Sequence, residues 1–183
     1  MYGLVNKAIE DLVRSKFGDA TWEQIKHKAG VEEELFISMD SYPDDVTYRM
    51  VAAASEVLGI PAAQVLEAFG EYWVVYTARE GYSDTLTMFG DTLPTFLTNL
   101  DTMHAHVGTV FPNLKPPSFQ CTDITDHSMR LHYYSERAGL APMVVGLLKG
   151  LSTMFKRPMS VVHSASRDAG ANHDEFLIDY TVE

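Results

Sequence analysis

The stretch Pro112-Asn113-Leu114-Lys115-Pro116-Pro117, PNLKPP, divides the sequence in two. Proline lacks a backbone N–H and biases the residue before it away from the α region, so no helix continues through this run. On its N-terminal side the apolar residues recur at helical steps, and on its C-terminal side they fall into short strand-like runs. That contrast decides the fold class. It is α+β: an N-terminal helical subdomain followed by a mostly antiparallel β-sheet with one inserted helix.

Working back from the connector, a helical stretch of about 30 residues follows the break Gly81-Tyr82-Ser83-Asp84. Pro94 lies inside it, so a kink or split is expected there. Earlier, Leu4, Val5, Ala8, Ile9, Leu12 and Val13 mark one face of a first helix. Thr21 with Glu23 and Gln24 opens a second, short helix that ends near Gly30. Pro43, Asp44 and Asp45 open a third, whose acidic start suits the helix dipole and whose last turn precedes Gly59. Pro61 starts a fourth, running through Phe69, Trp73 and Val74. Working forward, strands are expected near 118–124, 129–135, 159–166 and 175–182, with a helix from about Pro142 to Phe155. The loop 168–174 joins the last two strands as a hairpin. The whole chain, 1–183, reads as one domain with a helical part over about 1–60 and an α/β part over about 61–183.

Composition bounds the function. A 46% hydrophobic and 21% charged chain is globular rather than disordered. The net charge of −11 argues against a nucleic-acid or anionic-membrane surface. No apolar run approaches the roughly 20 residues of a membrane helix. Glu10 and Asp11 occupy the place of a signal peptide's apolar core, so a cytoplasmic protein is expected. The single cysteine, Cys121, excludes an intrachain disulfide and reads as a small buried hydrophobe.

Two features stand out from this background. Leu93, Leu97, Leu100, His104, Val107 and Phe111 follow one another at steps of three and four, so His104 occupies a slot in an apolar stripe. His106 lies about 200° around the same helix, so the two histidines cannot share a metal. No other Cys/His spacing resembles a zinc site. His104 is then either a neutral core histidine with satisfied ring nitrogens or a lone axial ligand to a haem. The second feature is Leu131-His132-Tyr133-Tyr134-Ser135-Glu136-Arg137. In an extended chain Met129, Leu131, Tyr133, Ser135 and Arg137 share one face, apolar at one end and suited to a carboxylate at the other. A strand end whose arginine pairs with a surface carboxylate fits the same pattern.

These residues carry a resemblance. MYGLVNKAIE, YRMVAAASEVLG, NLDTMHAH, PPSFQCTD, LHYYSER and FLIDY together resemble the haem-nitric oxide/oxygen-binding family, and in particular the haem domain of the soluble guanylate cyclase β subunit. The likeness spans essentially the whole chain. It implies haem b lying between the helical and sheet parts, with His104 as the axial iron ligand and Tyr133, Ser135 and Arg137 on the haem propionates. Pro117, Leu100 and Met103 would pack on the macrocycle, Pro117 distorting it. Val5, Ile9, Trp73, Met143 and Leu147 would line the distal gas pocket.

Oxygen-binding relatives carry a distal tyrosine on the helix after Tyr-x-Ser-x-Arg. Here that segment, Gly139 to Gly146, has no side-chain donor, although the Trp73 indole could supply one by turning inward. The expectation is a sensor of NO and CO with little O₂ binding and no enzymatic activity of its own. NO would weaken or break the Fe–His104 bond, and the resulting shift would signal to a separate protein such as a histidine kinase or cyclase. Three rivals remain. A haem enzyme processing NO or O₂ needs a distal acid or base, a gas carrier or scavenger needs no partner, and a haem-free domain would use Arg137 on a carboxylate peptide.

Overall fold

The computed structural model describes residues 1–181. Four helices lead: α1 (Gly3–Phe17), α2 (Asp19–Lys28), α3 (Asp44–Leu58) and α4 (Ala62–Thr77). Most of their ends are those that the punctuating residues dictate, although α2 starts at Asp19, directly after Gly18, rather than at Thr21. Pro43 and Pro61 stand at the N-caps of α3 and α4, and Gly59 closes α3 in the left-handed region at φ 66°. One π turn, Ala78–Tyr82, then bends the chain at Gly81, whose φ is 96°.

The stretch before the connector is three short helices: α5 (Ser83–Met88), α6 (Leu93–Thr98) and α7 (Leu100–Gly108). The expected division at Pro94 takes the form of a split just before it, and Pro94 sits in the first turn of α6, where its missing N–H costs nothing. The breaks fall on either side. Thr92 caps α6 by accepting from the Thr95 N–H, and the Asn99 side chain leaves the helix to donate to the Phe89 carbonyl at 2.9 Å. The apolar stripe survives the division. Leu93 and Leu97 on α6 and Leu100 on α7 are all buried.

After the connector come β1 (Ser118–Thr122), β2 (Ser128–Tyr134), α8 (Ala141–Met154), β3 (Met159–Ala165) and β4 (Asp174–Tyr180). They form one antiparallel sheet in the order β1-β2-β4-β3, with Leu131 opposite Phe176 and His132 opposite Glu175. Strand boundaries move by one or two residues, β1 stopping at Thr122 rather than 124 and β3 at Ala165 rather than 166. β2 stops at Tyr134 because the Ser135 hydroxyl accepts from the Arg137 N–H at 3.0 Å and turns the chain. The last strand stops at Tyr180, and the expected end at Val182 lies outside the described residues.

Two hydrophobic cores result. Ile9, Leu12, Trp22, Ile25, Met50 and Phe69 fill one among α1–α4, whereas Leu97, Leu131, Leu148, Phe176 and Ile178 fill the other between α8, α6 and the sheet. Helix α4 serves both, giving Phe69 and Tyr76 to the first and Val74 to the second. It can do so because it lies unusually close to α8. A Cβ at Gly70 would overlap the Met143 carbonyl oxygen, one at Gly146 the Glu67 carbonyl, and one at Gly150 would stand 2.8 Å from the Glu71 carbonyl. Gly146→Val should therefore force the helices apart and cost about 1–3 kcal/mol, a fall in Tm of about 2–12 °C for a chain of this size. In the same thermal melts Gly108→Ala, whose Cβ would meet nothing within 4 Å, should leave Tm nearly unchanged.

Candidate functional site

Between the two cores lies a cavity of about 580 Å³, a size typical of cofactor and ligand pockets. Leu4 and Val5 of α1, Trp73 of α4, Met103 and His104 of α7, Phe119 of β1, and Met143 and Leu147 of α8 line it. Lys115, Pro116 and Pro117 of the connector border it as well, so the run that ends the helical half also walls the site.

His104 enters this space from the apolar stripe. Its Nδ1 is buried and has no hydrogen-bond partner. Burial pushes the imidazole below its ordinary pKa, with Asp101 and the nearby Pro117 carbonyl opposing the shift. That carbonyl is close enough to favour a proton on the ring, without forming a hydrogen bond of ordinary geometry. The ring is thus neutral, with a lone pair to offer. Its helix is held by Asp101, which accepts from the Ser118 hydroxyl at 2.6 Å and from the Phe119 N–H at 2.7 Å. Phe119 continues the wall, its ring 5.8 Å from that of His104 and 5.2 Å from that of Tyr133. His106 is exposed on the other side of α7, as the helical angle requires.

Tyr133, Ser135 and Arg137 all border the same cavity. Burial raises the Tyr133 phenol, which keeps it a neutral donor. Arg137 does not hang free. Its Nε and Nη2 reach the two Asp44 oxygens at 2.7 and 3.3 Å, and Nη1 donates to the Lys115 carbonyl at 2.7 Å. Asp44 also accepts from the N-terminal amine at 2.6 Å. Three of the five guanidinium N–H groups are spoken for, and two remain for a further acceptor. Burial alone would raise the Asp44 carboxyl, but Arg137 and the N-terminus outweigh it and hold it below the ordinary carboxylate value.

The expected lining residues divide. Val5, Trp73, Met103, Pro117, Met143 and Leu147 border the cavity. Ile9 does not: it lies one turn beyond Val5 and is 5% exposed, packed in the helical core. Leu100 sits behind the wall, bordering a smaller cavity of about 100 Å³ with Met103 and His104. Met1, Asp44, Tyr82 and Leu86 also border the main cavity and were not anticipated. Asp44 was readable only as a favourable charge at a helix start. Cys121 is half-buried, and burial pushes its thiol up to about 11, which leaves it unreactive.

An apolar slot entered by one unpartnered imidazole and rimmed by a phenol, a hydroxyl and a guanidinium suits a flat apolar group with an acidic edge. It defines a prosthetic-group-binding domain. The chain belongs to the haem-NO-binding family, whose model matches residues 2–163. It is 34% identical to soluble guanylate cyclase gcy-35 of Caenorhabditis elegans over all of this chain but 27% of that protein. With gcy-31 of the same organism it shares 30% identity over 83% of this chain and 22% of that one. The chain thus spans about a quarter of these relatives. An H-NOX protein from S. oneidensis in the Fe(II)NO state superposes with a TM-score of 0.90 at 22% identity, covering 99% of each chain. An unliganded Fe(II) H-NOX protein from K. algicida superposes with 0.87 at 20% identity, covering 100% of this chain and 98% of that one. The fold is the H-NOX fold, and the residues present fit a haem.

The Asp44 cluster makes a pH prediction. A carboxylate held below its ordinary value stabilises the fold at every pH above about 3.9 and loses that contribution as pH falls through the folded value. Asp44→Asn should therefore melt below the wild type by a constant margin from about pH 5 to 8, a margin that closes below about pH 4. Parallel Tm curves down to pH 3 would contradict the assignment.

Proposed function

We propose that this chain is a haem-based sensor that takes NO and CO at ferrous haem b, binds O₂ little, and signals to a partner protein. One observation carries the reading: His104, whose buried Nδ1 has no hydrogen-bond partner, borders an apolar cavity whose α8 wall offers no side-chain donor. When bound, ferrous haem would supply an iron atom able to take a diatomic gas, with His104 as the residue that would hold it.

The chain's own residues do the rest. His104 would hold the iron through its neutral ring, and Tyr133, Ser135 and Arg137 would take the two propionates. Asp44 keeps the Arg137 fork oriented while leaving two of its N–H groups available. Met103, Pro117 and, behind them, Leu100 would pack on the His104 side. Val5, Trp73, Met143 and Leu147 would exclude water from the gas side. O₂ acquires negative charge on binding and needs a donor, which NO and CO need far less. The Trp73 indole lies against the rings of Phe69 and Tyr76, 6.0 and 6.3 Å away.

A haem enzyme would need an acid or base beside the gas. Two of the hydroxyls bordering the cavity are already committed, Thr77 to the Trp73 carbonyl at 2.8 Å and Thr47 to Asn6 at 2.7 Å. The signal would start at His104. Were it released, α7 would be free to shift, and the Asp101 clasp on Ser118 and Phe119 would carry the motion into β1. The named relatives are guanylate cyclases, which supports a cyclase-type output; a histidine kinase fits the same shift. A gas carrier shares the site but would lack any ligand-dependent partner.

In air the reduced protein should keep the spectrum of its unliganded form, while NO and CO each shift it. Met143→Tyr, which places a phenol donor on the cavity side of α8, should gain an oxygen complex. A stable O₂ complex of the wild type would overturn the selectivity. Amide exchange across 100–108 should accelerate on adding NO, and His104→Gly should show fast exchange beforehand. Equal protection with and without NO would overturn release through α7.

A further inference from the structure

Behind the cavity, on the other face of the sheet, three metal-ligating side chains meet. His132 follows Leu131 and precedes Tyr133 on β2, so the strand's alternation turns it away from the cavity that Tyr133 borders. The β2–β4 register sets it directly opposite Glu175. The loop before β4 brings in His173, and the ligand atoms of all three lie within 4.8 Å of one another. The Nδ1 of His132 is 2.8 Å from the Nε2 of His173 and 3.7 Å from a Glu175 oxygen. All three residues are half-buried rather than loose on the surface.

We propose that His132, His173 and Glu175 form a binding site for a divalent transition metal, Zn²⁺ above all. Two imidazoles and one carboxylate are a donor set that zinc takes with a water in the fourth position. The outer contacts leave the inward atoms ready. The Nδ1 of His173 bonds the Asn172 side-chain oxygen, an acceptor, so that nitrogen carries the proton and Nε2 keeps its lone pair. The Nε2 of His132 is 2.9 Å from the Thr122 hydroxyl, which can donate or accept. Without metal the hydroxyl donates, and a His132 Nδ1–H bridges to His173. With metal the hydroxyl accepts, the proton moves to Nε2, and two lone pairs converge. Binding therefore needs a change of tautomer and no loss of protons.

Glu175 is prepared in the same way. Ser164 and Arg130 hold one oxygen and keep its carboxyl below the ordinary value, while the other oxygen faces His132. The Arg130 charge is shared with Asp123 at 3.0 Å, which tempers its repulsion of a cation. Zinc–nitrogen bonds of about 2.0–2.1 Å require the two nitrogens to open to roughly 3.4 Å. His173, carried on a loop, can yield that distance.

The test is isothermal titration calorimetry of the tag-free, haem-loaded protein, dialysed against a chelator and titrated with Zn²⁺. One equivalent should bind. His173→Ala, a loop position that leaves the sheet intact, and Glu175→Gln should each weaken binding by about tenfold or more, at least the loss typical of removing an outer partner. The exposed His127→Ala should bind as the wild type does. Absence of a saturable one-equivalent event, or the same isotherm in His173→Ala and Glu175→Gln, would overturn the site. Because the Soret absorbance is recorded on the same samples, loss of metal binding is separable from loss of haem.

Discussion

A buried polar nitrogen without a partner costs about 1–3 kcal/mol, and His104 carries such a nitrogen at the wall of a large apolar cavity. Much of the molecule is arranged around that cost. A stripe of leucines on α6 and α7 drives the helix against the core and takes His104 with it. Asp101 ties the same helix to the first residues of β1, immediately after the proline connector. On the far side, glycines let α4 and α8 approach until backbone meets backbone, which leaves the cavity between α8 and the histidine rather than filled by it.

The rim answers a separate electrostatic problem. On the proposed reading, a chain of net charge −11 would still have to hold an acidic edge. The positive charge for it would come from a local cluster in which Arg137 and the N-terminal amine share Asp44. Asp44 neutralises one of two positive charges and leaves a surplus of one at the cavity mouth. The pair also joins α3 to the turn after β2, so the anion site and the contact between the helical and sheet halves are one structure.

Much of this was readable from the residues, and the exceptions have physical causes. The helix ends followed from proline and glycine, and the sheet from period-two alternation. The stretch before the connector divides at Pro94 as a proline there implies, but the break precedes it, because proline is favoured in the first turn of α6. Ile9 was assigned to the pocket because it shares a face with Val5, but a helix face is wider than a cavity mouth. Asp44, 93 residues from Arg137, and His132, 41 from His173, could not be paired by spacing. Such contacts exist only once the strand register and the helix packing are known. The family motifs located His104 and Arg137, but not the groups that hold them.

The central question is whether this cavity takes haem through His104. The most direct measurement is the absorption spectrum of freshly purified protein, titrated with hemin and then reduced. The protein should show a Soret band that saturates at one equivalent of hemin, with the reduced spectrum of a single-histidine site that His104→Gly loses and added imidazole restores. No Soret band after adding hemin, or an identical spectrum in His104→Gly without imidazole, would contradict that expectation.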